Sequence, residues 1–145
     1  SFRFHIGLAK RLGKTLVVHD RDSHDDVLRI LDDEGHPETV VLHCFSGDAD
    51  FARAASERGW YCSFSGVLTF KNADDLRAAA AIVPAERLLV ETDAPFLTPA
   101  PHRGKANAPY LIPLTVRQLA EVRGIEEREL CNLLFANTEH AFGPL

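Results

Sequence analysis

The chain has 145 residues, of which 46% are hydrophobic and 26% are charged, a balance typical of a single globular domain over residues 1–145. Its net charge of −5 argues against a general nucleic-acid binder, which usually carries a basic surface, but not against a cation site that handles phosphate. No apolar run approaches the ~20 residues that cross a bilayer, and no secretory leader is recognisable. Three cysteines without a C-x-x-C pair favour reduced thiols, so we expect a cytoplasmic protein without a membrane partner.

The predicted elements alternate between helix and strand. Apolar residues three or four positions apart predict helices, and short runs rich in Val and Leu predict strands. In chain order the prediction is helix 1–13, strand 15–19, helix 23–35, an apolar run over 39–47 whose strand ends at His43, helix 48–59, strand 60–70, helix 72–83 and strand 87–93. Asp48 and Asn72 are candidate N-caps. A loop over residues 94–109 holds four of the eight prolines and leads to closing helices near 111–123, 126–136 and 137–142.

This order predicts an α/β fold with about four parallel strands joined by helical crossovers. The unbroken apolar character of three of the strands predicts burial on both faces of the sheet. The first helix is unusual because no strand precedes it, although a crossover helix normally follows a strand. We therefore expect the chain to begin in the middle of its architecture. The alternative is a small open α/β domain with a leading helix.

Three strands end in side chains that commonly bind metals. The first strand ends in His19, the second in His43 and the fourth in Asp93. Each residue alone is more often a hydrogen-bonded loop residue or a turn former. Because the carboxyl ends of parallel strands meet at one edge, where α/β folds build their sites, we expect the three side chains to converge. Imidazole and carboxylate together suit divalent Zn, Mn, Fe or Mg.

Because side chains alternate between the two faces of a strand, the sequence predicts which way the neighbours of these residues point. Glu91 and Asp93 should share a face, with Glu91 one layer deeper, where it could orient a ligand or a bound water. The alternative is that Glu91 is a buried acid paired with a basic side chain. Cys44, next to His43, should point outward toward the helices and serve in packing.

A few basic residues lie near the predicted strand ends. Arg21 follows His19 by two positions, and Arg103 and Lys105 lie in the proline-rich loop. Such a basic rim round a cation would suit a phosphate diester, and the alternative is that these are solvated loop charges. His24, beside two acids at a helix start, is interpreted as a surface or supporting residue.

Several stretches resemble the TatD family of metal-dependent deoxyribonucleases, and they run across essentially the whole chain in family order. They are LVVHDRDSHDDVL, VVLHCFSG, LLVETDAPFLTP, HRGKANAPYL and ANTEHAFG. The resemblance implies a (β/α)₈ TIM barrel related to the amidohydrolases. It also implies hydrolysis of DNA phosphodiesters, in some members as a 3′-to-5′ exonuclease. The implied cofactor is one or two divalent ions per complete site, Mg²⁺ foremost, with Zn²⁺ or Mn²⁺ as alternatives. Some members are D-aminoacyl-tRNA deacylases.

The resemblance also implies roles for single residues. His19 and His43 resemble the two histidines that hold one metal, and Asp93 resembles the carboxylate at the other metal and the acceptor of the water proton. The family's H-x-H pair and its bridging Glu have no counterpart in the chain. A (β/α)₈ barrel typically needs ~250 residues. The chain thus resembles the C-terminal half of a family member, strands five to eight.

A half-barrel should bind metal weakly and show little or no nuclease activity without its N-terminal half. Two other functions remain open. The same site could serve a D-aminoacyl-tRNA deacylase or another ester hydrolase of the amidohydrolase type. A non-catalytic remnant or binding domain is the alternative from a different class.

Overall fold

The fold is given by a computed structural model that describes residues 1–144. Ten regular elements and three short 3₁₀ turns follow one another along the chain. The elements are α1 Phe2–Leu12, β1 Leu16–His19, α2 His24–Glu34, β2 Val40–His43, α3 Ala49–Glu57, β3 Tyr61–Phe64, α4 Asp74–Ile82, β4 Leu88–Val90, α5 Ile112–Arg123 and α6 Glu127–Phe142. The turns span Gly66–Thr69, Ala85–Arg87 and Pro109–Leu111.

The four strands form one parallel sheet in the order β1-β2-β3-β4. Parallel neighbours require crossover connections, and a helix supplies each of the three here. The predicted α/β class with four parallel strands is therefore confirmed. In the register of β1 and β2, Leu16 pairs with Val40 and His19 with His43. The two strand-terminal histidines are thus direct neighbours at the carboxyl edge.

The main core lies between one face of the sheet and the helices. Alternate strand residues such as Leu42, Cys62, Phe64 and Leu88 point to this side and are buried. The helices contribute residues that include Leu31, Ala52, Ala79, Leu119 and Leu130. Burying a large aliphatic or aromatic side chain stabilises a fold by roughly 1.5–3 kcal/mol, so this layer holds the strand ends in place.

The opposite face of the sheet carries a much smaller apolar cluster. Val41, Tyr61 and Leu89 contact one another and Ala141 of α6. Val17 of β1 faces the same side and is 50% exposed. The prediction that both faces are buried therefore holds for β2 and β3 and is wrong for β1, one of the two edge strands.

Several predicted elements differ in extent from the structure, and the fourth strand, predicted over 87–93, ends at Val90. The strand predicted over 60–70 ends at Phe64, because the chain turns at Gly66 into a 3₁₀ segment in which the Thr69 hydroxyl donates to the Gly66 carbonyl. The two helices predicted at 126–136 and 137–142 form the single helix α6. Asn137 is accommodated inside that helix because its amide donates to the carbonyls of Ala85 and Leu88, at 2.8 and 2.9 Å.

Of the two predicted helix caps, one is confirmed and the other is wrong. Asp48 caps α3, since its carboxylate accepts hydrogen bonds from the amides of Asp50 and Phe51. Asn72 does not cap α4, whose N-cap is Ala73 without a side-chain bond. Among residues 1–144, no helix combines the length and the apolar character needed to cross a membrane.

Candidate metal centre

His43, Glu91 and Asp93 form a compact group at the carboxyl edge of the sheet. Each offers one ligand-type atom, and these three atoms all lie within 4.8 Å of one another. His43 Nε2 is 3.4 Å from Asp93 Oδ1, and His43 Nδ1 is 2.7 Å from Glu91 Oε1. The three side chains are partly buried. One imidazole and two carboxylates within this radius match the ligand chemistry of Mn, Fe, Zn or Mg sites.

The backbone of Glu91 and Asp93 explains how two acids can follow a buried strand. The Glu91 amide still bonds to the Phe64 carbonyl at 3.0 Å, so the ladder runs one residue beyond β4. Asp93 then adopts a left-handed conformation with φ 56°, and its carbonyl accepts a hydrogen bond from the Phe96 amide at 2.8 Å. A non-glycine residue in this region is uncommon, and such residues cluster at functional sites. The strand therefore ends in a tight turn that carries Asp93.

The two carboxylate oxygens of Glu91 have different surroundings. Oε2 accepts a hydrogen bond from the Cys44 amide at 3.0 Å. Oε1 is buried and lies close to the His43 ring, yet it has no aligned hydrogen-bond donor within residues 1–144. A buried carboxylate oxygen without a donor is costly, and a cation would satisfy it. The residues present therefore fit a divalent ion.

His19 lies in the same cavity but outside the compact group. Its ring centroid is 6.0 Å from that of His43. The cavity measures about 550 Å³, and its lining includes His19, Arg21, His43, Asp93 and Phe96. The structure thus brings together the two histidines and the aspartate predicted from the strand ends, and it adds Glu91 as the third member of the tight cluster.

Cys44 does not follow the alternation expected of a strand residue. The strand ends at His43, and Cys44 has a φ of 47°; the residue lines the same cavity as the two histidines, and its thiol donates to the Ser65 hydroxyl at 3.2 Å. The expectation that it points outward to the helices is wrong. Burial first, and then the nearby carboxylates of Glu91 and Asp93, raise the pKa of the thiol to about 11, while its hydrogen bond to Ser65 acts in the opposite direction. The thiol is therefore protonated at neutral pH and is a poor nucleophile or ligand in this state.

The predicted basic rim is only partly assembled at the cavity. Arg21 lines it together with His19. Arg103 instead lies over the ring of Phe70, with its guanidinium carbon 3.8 Å from the ring centroid. Lys105 is exposed, and its carbonyl accepts a hydrogen bond from the Thr98 hydroxyl.

Two arrangements near the site escaped the sequence analysis. Buried Asn107 donates to the carbonyls of Thr92 and Phe96, at 2.6 and 2.7 Å, and so ties down the turn around Asp93. The sequence signal that could have indicated a role for Asn107 is its position within HRGKANAPYL, one of the stretches that resemble the family. Beside His19, buried Asp20 contacts His24 Nδ1 at 2.5 Å. The contact with Asp20 therefore fixes the position of the His24 ring. The sequence did not indicate this contact, because two other acids lie directly beside His24 in the chain.

The chain is similar to known proteins over nearly its whole length. Residues 1–143 match the family described as TatD-related DNase. The chain belongs to this family. An uncharacterized metal-dependent hydrolase TatD from Mycobacterium tuberculosis is 50% identical over 143 residues, which cover 99% of this chain and 54% of that protein. The uncharacterized metal-dependent hydrolase YcfH of Escherichia coli K12 is 43% identical, with coverage of 98% and 54%.

Solved structures give the same relationship. The TatD homologue YjjV from Escherichia coli K12 superposes with a TM-score of 0.91 at 30% identity, over 97% of this chain and 54% of that one. A TatD family hydrolase from Entamoeba histolytica, at 20% identity and a TM-score of 0.83, shares the fold. The chain thus spans about half the length of the curated relatives it matches.

Proposed function

We propose that this TatD chain supplies part of the site of a divalent-metal hydrolase that cleaves phosphodiester bonds in DNA. The observation that carries the proposal is the cluster of His43, Glu91 and Asp93, in which the buried Glu91 Oε1 has no aligned hydrogen-bond donor within residues 1–144. The description of the family as TatD-related DNase supports DNA as the substrate, and the relatives described as uncharacterized metal-dependent hydrolases support the coarser activity of a metal-dependent hydrolase.

Each residue has a proposed role in this reaction. His43, Glu91 and Asp93, together with His19 at the cavity wall, would hold the metal, and Asp93 would also accept the proton of the attacking water. Arg21 in the same cavity would bind a phosphate oxygen, and Arg103 and Lys105 would contact phosphates farther along the strand. A divalent ion bound there supplies Lewis-acid polarisation of the phosphoryl oxygen and activation of water.

We further propose that the chain is the C-terminal half of a (β/α)₈ barrel and that its site is incomplete alone. Two features support this. The strands are consecutive neighbours in chain order, as in a barrel wall, and the face that carries Val17 is open. The chain also covers 54% of the length of its Mycobacterium tuberculosis relative, as expected of half a barrel. The N-terminal half would close the sheet and complete the ligand set.

The three unpaired cysteines support a cytoplasmic location.

Reconstitution tests this function directly. The chain is mixed with a segment that holds the first four strands of the Mycobacterium tuberculosis relative, and cleavage of DNA is followed with Mg²⁺, Mn²⁺ or Zn²⁺. We expect metal-dependent cleavage only in the mixture, and we expect Asp93→Asn to abolish it. Glu57→Gln, a change at an exposed acid of α3, is the matched control and should leave cleavage unchanged. Full activity of the chain alone would contradict the proposal of an incomplete site.

The same mixture separates the alternatives. D-aminoacyl-tRNA is assayed beside DNA under identical conditions. Turnover of the tRNA ester without DNA cleavage would indicate an ester hydrolase instead of a nuclease. Metal binding by calorimetry without turnover of either substrate would indicate a non-catalytic binding domain.

A further inference from the structure

Phe96 is a large apolar side chain that is 68% exposed at the mouth of the candidate site. Isolated exposed apolar residues are common on proteins and need no explanation. Phe96 is distinguished by its position, because it lines the cavity that also holds His19, Arg21, His43 and Asp93. No other large exposed apolar residue within residues 1–144 lines that cavity. Phe96 therefore adds an exposed aromatic ring to a cavity that also contains His19, Arg21 and Asp93, whereas the apolar Phe45 in the same lining is buried.

The backbone fixes Phe96 relative to Asp93. The Phe96 amide donates to the Asp93 carbonyl at 2.8 Å, so the two residues are the first and last of one turn. The Phe96 carbonyl accepts a hydrogen bond from the buried Asn107 amide at 2.7 Å, and the Asn107 backbone amide donates to the Pro95 carbonyl at 2.9 Å. These bonds hold the backbone that carries the Phe96 ring in a defined position next to Asp93.

The next residue is held just as closely. Leu97 is left-handed, with φ 55°, and a side-chain carbon at Gly66 would lie only 2.3 Å from the Leu97 carbonyl oxygen. The absence of a side chain at Gly66 lets the loop pack against the end of β3. The exposed position of Phe96 thus belongs to a loop that is anchored on both sides.

We infer that Phe96 is a stacking platform for the nucleobase next to the scissile phosphate. The inference rests on the proposed function, and it makes an unpaired nucleotide the unit that the site recognises. A ligand that satisfies this cavity needs an anionic group for Arg21 and the metal residues and a flat ring for Phe96, and a nucleotide has both. Stacking tolerates any base because every base has a π face, so recognition is of single-stranded nucleic acid without sequence preference.

The test compares two ligands and four proteins. The ligands are a short oligothymidylate and the same strand with one terminal base removed. The proteins are the wild type, Phe96→Ala, Phe96→Trp and Phe135→Ala, all in the reconstituted form. Phe135 is a control aromatic on α6 that is 56% exposed. Binding is measured by fluorescence anisotropy, cleavage by kcat and KM, and folding by thermal unfolding.

We expect Phe96→Ala to weaken binding of the intact strand about 10-fold, the scale of one lost base stack, and to leave binding of the abasic strand unchanged. Phe96→Trp should restore the preference for the base, which a merely structural role would not predict, and Phe135→Ala should match the wild type. Equal affinity of the wild type and Phe96→Ala for the intact strand would overturn the inference, even where the mixture cleaves DNA. Base-dependent binding in a mixture that cleaves nothing would support the platform and contradict the nuclease.

Discussion

Glu91 is the residue whose environment defines the candidate site most closely. Its Oε2 accepts a hydrogen bond from the Cys44 amide, while its Oε1 lies 2.7 Å from Nδ1 of the His43 ring. The sequence left open whether Glu91 orients a ligand or pairs with a base. The structure places the carboxylate against an imidazole and near Asp93, so two acids share a small volume, and neither forms an ion pair with a Lys or Arg among residues 1–144. A cation relieves the repulsion between them.

Replacing Glu91 by Gln should lower metal affinity by about 10-fold or more, because the neutral amide removes one negative charge while it keeps the size and the contact with Cys44. Isothermal titration calorimetry with Mn²⁺ and Mg²⁺ measures the change. Glu57→Gln serves as the control. Unchanged affinity in Glu91→Gln would show that the ion, if bound, is held elsewhere.

Cys44 allows a pH-dependent prediction. Its pKa is raised from 9.0 to about 11, so at pH 8 its thiolate fraction is roughly 100-fold smaller in the folded chain than in the unfolded one. Alkylation of Cys44 should be slow at pH 8 and should accelerate as the pH rises toward 11, whereas exposed Cys131 provides an accessible reference thiol. Mass spectrometry of alkylated peptides, with and without urea, gives both rates. Equal rates for folded and unfolded Cys44 at pH 8 would contradict the raised pKa.

At the scale of elements, caps and loop bonds decide where the chain turns. Asp48 begins α3 with two side-chain bonds to the amides of the first turn. Asn137 shows the opposite case, in which a residue that often ends helices lies within one. Its buried amide ties α6 to the start of β4, and this tertiary contact outweighs its low helix propensity.

The two predicted caps form a matched pair for experiment. Asp48→Ala should lower the free energy of unfolding by about 1 kcal/mol, because two amides of α3 lose their acceptor. Asn72→Ala should change it little, since Asn72 is exposed and its side chain does not cap α4. Urea denaturation of both variants checks the difference. A larger effect at Asn72 than at Asp48 would reverse the assignment of the caps.

At the scale of the whole molecule, the two faces of the sheet are unequal. One face packs on the helices and forms the main core, whereas the other carries a small cluster and leaves Val17 half exposed. β1 also has a hydrogen-bonded neighbour on only one side, since it ends the strand order. Exposed strand edges and apolar patches favour association.

The isolated chain should therefore self-associate as its concentration rises. Val17→Lys should reduce this association by placing a charge on the open face of the edge strand, while Val18→Lys, on the buried face, should unfold the chain instead. Sedimentation velocity over a range of concentrations gives the mass of each variant. A wild-type chain that stays monomeric at all concentrations would contradict the prediction of an open barrel wall.

The sequence by itself determined the order of helices and strands and the strand-terminal positions of His19 and His43. Both follow from local periodicity, because a buried strand must be apolar and its end is marked by the first polar residue. Only the tertiary structure decided which of these side chains lie together. The register of the sheet, the left-handed turn at Asp93 and the bonds of Asn107 depend on contacts between residues distant along the chain. For that reason the close partnership of Glu91 with His43 and the placement of Phe96 could not be read from the sequence.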